Sequence, residues 1–215
     1  MAALRTTHYA LYFSIFVSSW FHKCIATQRK MKHFLAKMNS RLSDPSRGFG
    51  PACAGEPTVF GARRPGFPLP RVARSEVVRW MDFVQGQGIA RVVCLLPVRQ
   101  LRPYEHLLET YAERFGNTHV AWAPVDDFTL VDLATLTGTV LPFLAEAERQ
   151  GQRAVVHCSA GSARTGHVLA AWLVAARGMA NDQAIAAVRA AGRNPQEARD
   201  PRLGALLDAC RAIVL

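Results

Sequence analysis

The stretch Ala154-Val155-Val156-His157-Cys158-Ser159-Ala160-Gly161-Ser162-Ala163-Arg164-Thr165-Gly166 changes character twice. It opens as a short apolar run with no polar alternation, the pattern of a strand covered on both faces. A loop of small residues follows. From Arg164 to Arg177 the chain is then rich in Ala, Leu and Val, which reads as a helix stopped by Gly178. A strand that passes through a glycine-bearing loop straight into a helix belongs to an α/β sheet. In such sheets the ligand site lies beyond the carboxyl ends of the strands, where this loop must sit.

The flanking sequence repeats the alternation. Residues 58–61 are a short strand candidate, and a Pro-rich turn runs from Arg64 to Arg71. Val77, Val78, Met81 and Val84 have helical spacing over 74–86, and Ile89 to Leu96 is a second buried strand closed by Pro97. A helix is predicted at 104–115, a strand over 119–124, and a long helix over 130–150 that contains Pro142. Two further helices are predicted at 181–191 and 201–213. The expected fold class is α/β, a central, mainly parallel sheet flanked by helices, and no internal repeat is visible.

Charge divides the chain. The formal net charge is +10 over 215 residues, yet twelve of the Lys and Arg residues precede residue 76, against only Asp44 and Glu56. The remainder balances, so the basic character belongs to the N-terminal third and is no sign of nucleic-acid binding by the domain. Cys24, Cys53, Cys94, Cys158 and Cys210 are odd in number and widely spaced. Neither a zinc motif nor a disulfide framework is implied, and a reducing, cytoplasmic setting is expected.

Tyr9 to Phe21 is an apolar run of thirteen residues, shorter than the roughly 20 needed to span a bilayer. It has the length of a signal-peptide core. An organelle presequence, an amphipathic surface anchor and an over-extended or disordered leader are the other readings. Residues 40–56 are rich in Ser, Gly and Pro and read as a linker. The expected organisation is therefore a basic extension over 1–55 and a folded domain over 56–215.

The loop carries the chemistry. Backbone N–H groups at a strand end and a helix N-terminus converge on a common centre and favour a tetrahedral anion. Ser159, Ala160, Ser162 and Ala163 are too small to fill that cradle, and Gly161 allows backbone angles closed to other residues. Arg164 can hold two phosphate oxygens bidentately, which a lysine cannot. Cys158 lies at the base of this electropositive nest, which favours a nucleophilic thiolate. The donors that hold a phosphate also stabilise a phosphoryl group in transfer. Cys94, by contrast, reads as a small core residue.

The run from His157 to Gly166 resembles the H-C-x5-R-[ST] phosphate-binding loop of the protein tyrosine phosphatase superfamily. It looks most like the compact atypical dual-specificity phosphatases and their prokaryotic relatives, with the likeness extending in order of elements over roughly 56–213. The resemblance implies Cys158 as nucleophile, Ser159 to Arg164 as the phosphate cradle and Arg164 as its clamp. It gives Thr165 the hydroxyl that bonds the cysteine sulfur, and His157 a supporting role in shaping the loop and tuning the thiol. Family members keep a general acid on a loop before the cysteine strand. Ala123-Pro124-Val125-Asp126-Asp127-Phe128 occupies that place. Asp127 is the expected acid, with Asp126 beside it as the alternative; one of the two could instead cap a helix beginning near Leu130. Arg193-Asn194-Pro195 resembles an Arg-x-Pro element of dual-specificity members and is expected to pack. Arg63 and Arg64 are read first as residues of a solvated loop, with contact to anionic substrate as the alternative. Trp122 and Trp172 are expected in the core.

These readings imply a phosphatase that forms a phosphocysteine and needs neither cofactor nor metal. The expected partner is a phosphorylated protein or another phosphate monoester, with phosphotyrosine foremost and phosphoserine or phosphothreonine beside it. The domain is expected to be a monomer that binds no nucleic acid, and membrane association of the N-terminal segment is a separate possibility. A phosphoinositide or an RNA 5′-phosphate is an alternative substrate; the small neutral loop residues give no support to inositol lipids. A binding module that recognises phosphate without hydrolysing it is a different class, as is the sulfur or arsenate chemistry of rhodanese-like and arsenate-reductase folds.

Overall fold

The computed structural model describes residues 43–213 and, ahead of them, Lys30, Met31, Phe34 and Met38. The apolar run from Tyr9 to Phe21 lies outside the described residues. Contacts divide the chain into two units, Met1–Leu42 and Ser43–Leu215, and the second carries the fold. Among the described residues no helix is long and apolar enough to cross a membrane.

Five strands form one sheet: β1 (Gly50–Pro51), β2 (Val59–Arg63), β3 (Ile89–Cys94), β4 (Val120–Trp122) and β5 (Arg153–Cys158). Their order is β1-β2-β5-β3-β4, with β1 antiparallel to β2 and every other pair parallel. β5 is central, so Ala154, Val155 and Val156 are fully buried and the apolar run needs no polar alternation. Successive side chains still face opposite ways. Val155 joins the cluster formed by α1 (Arg74–Gly86) and α3 (Leu107–Phe115). Val156 and Cys158 join the larger cluster on the other face.

That larger face is covered by α4 (133–149), α5 (Ala163–Arg177), α6 (Asn181–Ala190) and α7 (Leu203–Arg211). α4 is one continuous run of Leu133–Thr135, Leu136–Val140 and Leu141–Arg149, whose middle segment is a π turn. The wide turn comes just ahead of Pro142, which has no N–H to give the helical ladder. α5 is buried from Arg164 to Val174, being wrapped by the sheet and its neighbouring helices. A helix enclosed in this way needs apolar residues all round, as its Ala/Leu/Val composition supplies. A short helix, α2 (Val98–Leu101), follows β3.

Two expectations are corrected. The second unit includes residues ahead of Glu56, from Ser43 on, and Gly50–Pro51 within it is an edge strand rather than linker. A distant residue orders this segment: the buried Arg193 guanidinium donates to the carbonyls of Gly48, Gly50, Pro51 and Gly61. It lies over Gly61, where a Cβ would come within 2.5 Å of its Nε. The second correction is Trp122. It is 42 % exposed, with its indole N–H donating to the Leu96 carbonyl, whereas Trp172 is buried as expected.

Candidate active site

β2, β3, β4 and β5 end along one edge of the sheet, where Arg63 pairs with Cys158 and Cys94 pairs with both His157 and Trp122. The chain after β5 turns at Ser159, whose carbonyl accepts from the Arg64 N–H just past β2. Gly161 then adopts φ +68°, and a Cβ there would stand 2.5 Å from the Ala62 carbonyl oxygen. The loop is thus pressed against the end of β2, which only a glycine permits. α5 begins at Ala163. The Ser162 side chain does not cap it but donates to the Glu197 carboxylate at 2.8 Å. The first-turn N–H groups of α5 are therefore left without a side-chain cap beside the loop, as an anion site requires.

Around this loop lies a cavity of about 210 Å³ lined by Phe67, Asp127, Phe128, Cys158, Ser159, Ala160, Ser162, Ala163, Arg164 and Glu197. Cys158 is 2 % exposed at its base. Arg164 is buried, and its guanidinium donates to Gln100 Oε1 at 2.8 Å and to the Val125 carbonyl at 3.0 Å. Its other edge pairs with Asp127 at 3.1 Å. Gln100 bridges the two, its amide also reaching Asp127 at 3.4 Å.

The two aspartates part company here. Asp127 faces the cavity and Arg164, while Asp126 turns outward to an exposed pair with Arg99 at 3.3 Å. Neither caps α4; Asp132 does, its carboxylate accepting from the Thr135 N–H at 2.8 Å. The loop that carries them continues the sheet. Ala123 and Val125 donate to the carbonyls of Cys94 and Leu95, and Phe128 sits at φ +60° within the loop.

The flanking residues of the motif do other work. Strand alternation sends His157 to the face opposite Cys158, where it packs against Trp80 and Tyr111. Its Nδ1 lies 3.3 Å from the Cys158 carbonyl and its Nε2 3.1 Å from the Tyr111 hydroxyl. A carbonyl can only accept, so Nδ1 carries the proton and Nε2 accepts from tyrosine. Burial pushes the imidazole down to about 4, so it is neutral. The Thr165 hydroxyl is buried without a hydrogen-bond partner, so the bond to sulfur expected of it is not made here.

Arg64 is held by Tyr104 and the Leu69 carbonyl. Arg63 lies over the Phe67 ring. Cys94 is a core residue whose thiol burial pushes up to about 12. Gln100, Glu197 and Phe67 escape sequence reading, because nothing local marks a residue whose value comes from meeting a distant loop. Among the described residues no cluster of His, Cys, Asp and Glu is arranged to hold a metal.

A mainly parallel sheet with Cys158 and Arg164 on one strand–loop–helix turn defines a phosphatase of the protein tyrosine phosphatase superfamily. The comparisons make this specific. The family described as dual specificity phosphatase, catalytic domain, matches residues 88–201, more than half of the chain, and the chain belongs to that family. Among solved structures, a mutant form of Tk-PTP is 27 % identical with a TM-score of 0.54, covering 72 % of this chain and 89 % of that one. Kinase associated phosphatase, with its catalytic-site cysteine replaced by serine, is 18 % identical with a TM-score of 0.60, covering 73 % and 89 %. PTPMT1 in complex with PI(5)P is 17 % identical with a TM-score of 0.58, covering 76 % and 97 %. These last two are likenesses of fold. No curated protein matches the chain.

Proposed function

We propose that this phosphatase hydrolyses phosphate monoesters, phosphotyrosine foremost and phosphoserine or phosphothreonine beside it, through a phosphocysteine on Cys158. The observation that carries the reading is the convergence of Cys158, Arg164 and Asp127 on one small cavity. The phosphate sits over the loop with its oxygens on the backbone N–H groups and Arg164, competing with the Asp127 carboxylate for the same guanidinium. The Cys158 sulfur attacks phosphorus; the S–P bond forms as the P–O bond breaks, and the departing oxygen takes its proton from Asp127. Asp127 then removes a proton from water, whose oxygen attacks phosphorus. The S–P bond breaks, releasing inorganic phosphate and the thiolate.

Phe67 and Phe128 on the cavity wall suit an aromatic ring attached to the phosphate. Among the lining residues Arg164 is the one Lys or Arg, and the carboxylates of Asp127 and Glu197 flank it. That balance favours a single phosphate over a polyphosphorylated inositol or a nucleic-acid end. A pure binding module has no need of an acid beside the clamp. The test is hydrolysis of a chromogenic aryl phosphate by wild type and Cys158→Ser, with acid quenching and mass spectrometry to find phosphate on Cys158. Turnover by Cys158→Ser would sink the mechanism; a phosphopeptide and phosphoinositide panel then ranks substrates.

A further inference from the structure

His167 has no place in the mechanism above, yet it is fully buried and lies one helical turn beyond Arg164 on α5. Residues three apart share a helix face. Arg164 grips the acid-bearing loop at its start through the Val125 carbonyl, and at its middle through Asp127. His167 grips the end of the same loop: its Nε2 accepts the backbone N–H of Val131 at 3.1 Å. Between the two grips Phe128 is held in the left-handed region at φ +60°, a conformation that costs a non-glycine residue about 1–2 kcal/mol and persists only where the surroundings impose it.

We propose that His167 is a positioning residue for catalysis, holding the Asp127 loop over the phosphate site through its bond from Val131. The proposal rests on the assignment of Asp127 as general acid. The choice of residue follows from the chemistry of the site. A buried backbone N–H needs an acceptor, which Lys and Arg do not have and an aliphatic side chain would deny it. A neutral imidazole supplies one. Burial foremost, with the Arg164 charge nearby, pushes His167 down to about 3, so it accepts throughout the working pH range. The cost is visible in the other ring nitrogen, Nδ1, which is buried without a hydrogen-bond partner. A packing role alone would be served better by an apolar residue.

An acid matters in proportion to how poor the leaving group is, and this separates positioning from folding. The experiment compares phenyl phosphate, whose leaving oxygen needs the proton, with a fluorinated umbelliferyl phosphate, whose leaving group departs as the anion. It uses wild type, Asp127→Asn, His167→Leu and the double variant, with vanadate affinity as a check on the phosphate loop. His167→Leu is expected to lower kcat on phenyl phosphate by about 10- to 100-fold, to change the umbelliferyl rate by less than about threefold, and to add nothing in the Asp127→Asn background. An equal loss on both esters, or a full further loss in the double variant, overturns the inference while leaving the proposed function standing. A wild type inactive on both esters overturns the proposed function, and this inference with it. Nitrogen NMR of the wild-type imidazole needs no variant to fold: it should report the Nδ1–H tautomer from pH 5 to 8, and a proton on Nε2 would overturn the assignment.

Discussion

Gly161 and Gly178 provide an internal comparison that isolates how tightly the phosphate loop is pressed against the sheet. Both are left-handed, at φ +68° and +65°, so replacement by alanine carries the same backbone cost of about 1–2 kcal/mol at each. Their surroundings differ. A Cβ on Gly178 meets nothing within 4 Å, whereas on Gly161 it meets Ala62 O at 2.5 Å, Ala62 C at 2.7 Å and Arg63 N at 2.9 Å. The oxygen lies about 0.8 Å inside an ordinary C···O approach of about 3.3 Å. All three atoms are backbone of β2, so no side chain can swing aside. Overpacking of this kind costs about 1–3 kcal/mol, giving about 2–5 kcal/mol for Gly161→Ala against about 1–2 for Gly178→Ala. In a domain of this size each kcal/mol moves Tm by about 2–4 °C. Urea unfolding followed by tryptophan fluorescence, together with aryl phosphate kinetics, would measure both. Gly161→Ala should be the less stable and lose about 10²-fold in kcat as the cradle shifts, while Gly178→Ala keeps its activity. Equal unfolding free energies for the two variants, or full activity in Gly161→Ala, would show that the loop does not depend on its seat against β2.

Three further outcomes are expected. Asp127→Asn should lower kcat on a phenyl ester by about 10²-fold, while Asp126→Asn, whose partner Arg99 is exposed, stays within a few-fold; the reverse order would move the acid to Asp126. Stability should fall on acidification, because the unfolded chain binds protons below pH 6.5 that His157 in the fold refuses until about pH 4 and His167 until about pH 3. The His157 gap alone is worth about 3 kcal/mol by pH 4, and unfolding free energies flat between pH 6.5 and 4 would contradict it. Arg193→Ala should cost about 2–4 kcal/mol by leaving several carbonyls without their donor. It should also speed amide hydrogen exchange across residues 48–61, where unchanged protection would refute the clamp.

Much of the site was legible because it is local. From Val155 to Gly166 the strand, the small-residue turn, the cysteine and the clamping arginine are contiguous, and backbone geometry over a few bonds places them. The helices and buried strands were legible for a related reason, since apolar periodicity is set by the neighbours along the chain. The choice between Asp126 and Asp127 was of another kind. Two adjacent carboxylates look alike in a sequence, and what separates them is that Arg164 stands on one side of the loop and Arg99 on the other.

His157 shows how a motif position changes meaning once folded. The family resemblance implied a hand in tuning the thiol; strand alternation places the ring itself in the Trp80 and Tyr111 cluster, with Nδ1 on the Cys158 carbonyl. Residues 43–55 show the same limit at larger scale. They have no pattern of their own, and their partners lie elsewhere in the chain: Arg193 on the Gly48 and Gly50 carbonyls, Phe60 and Phe83 against Phe49, and Glu76 and Arg79 on Ser43. The cysteine, the cradle and the clamp follow from a dozen consecutive residues, whose conformation short-range sterics and hydrogen bonding can specify. The Asp127–Arg164 pair, the bridging Gln100, the His167 tie and the edge strand exist only because tertiary packing brings separate segments within hydrogen-bonding distance, which no local rule encodes.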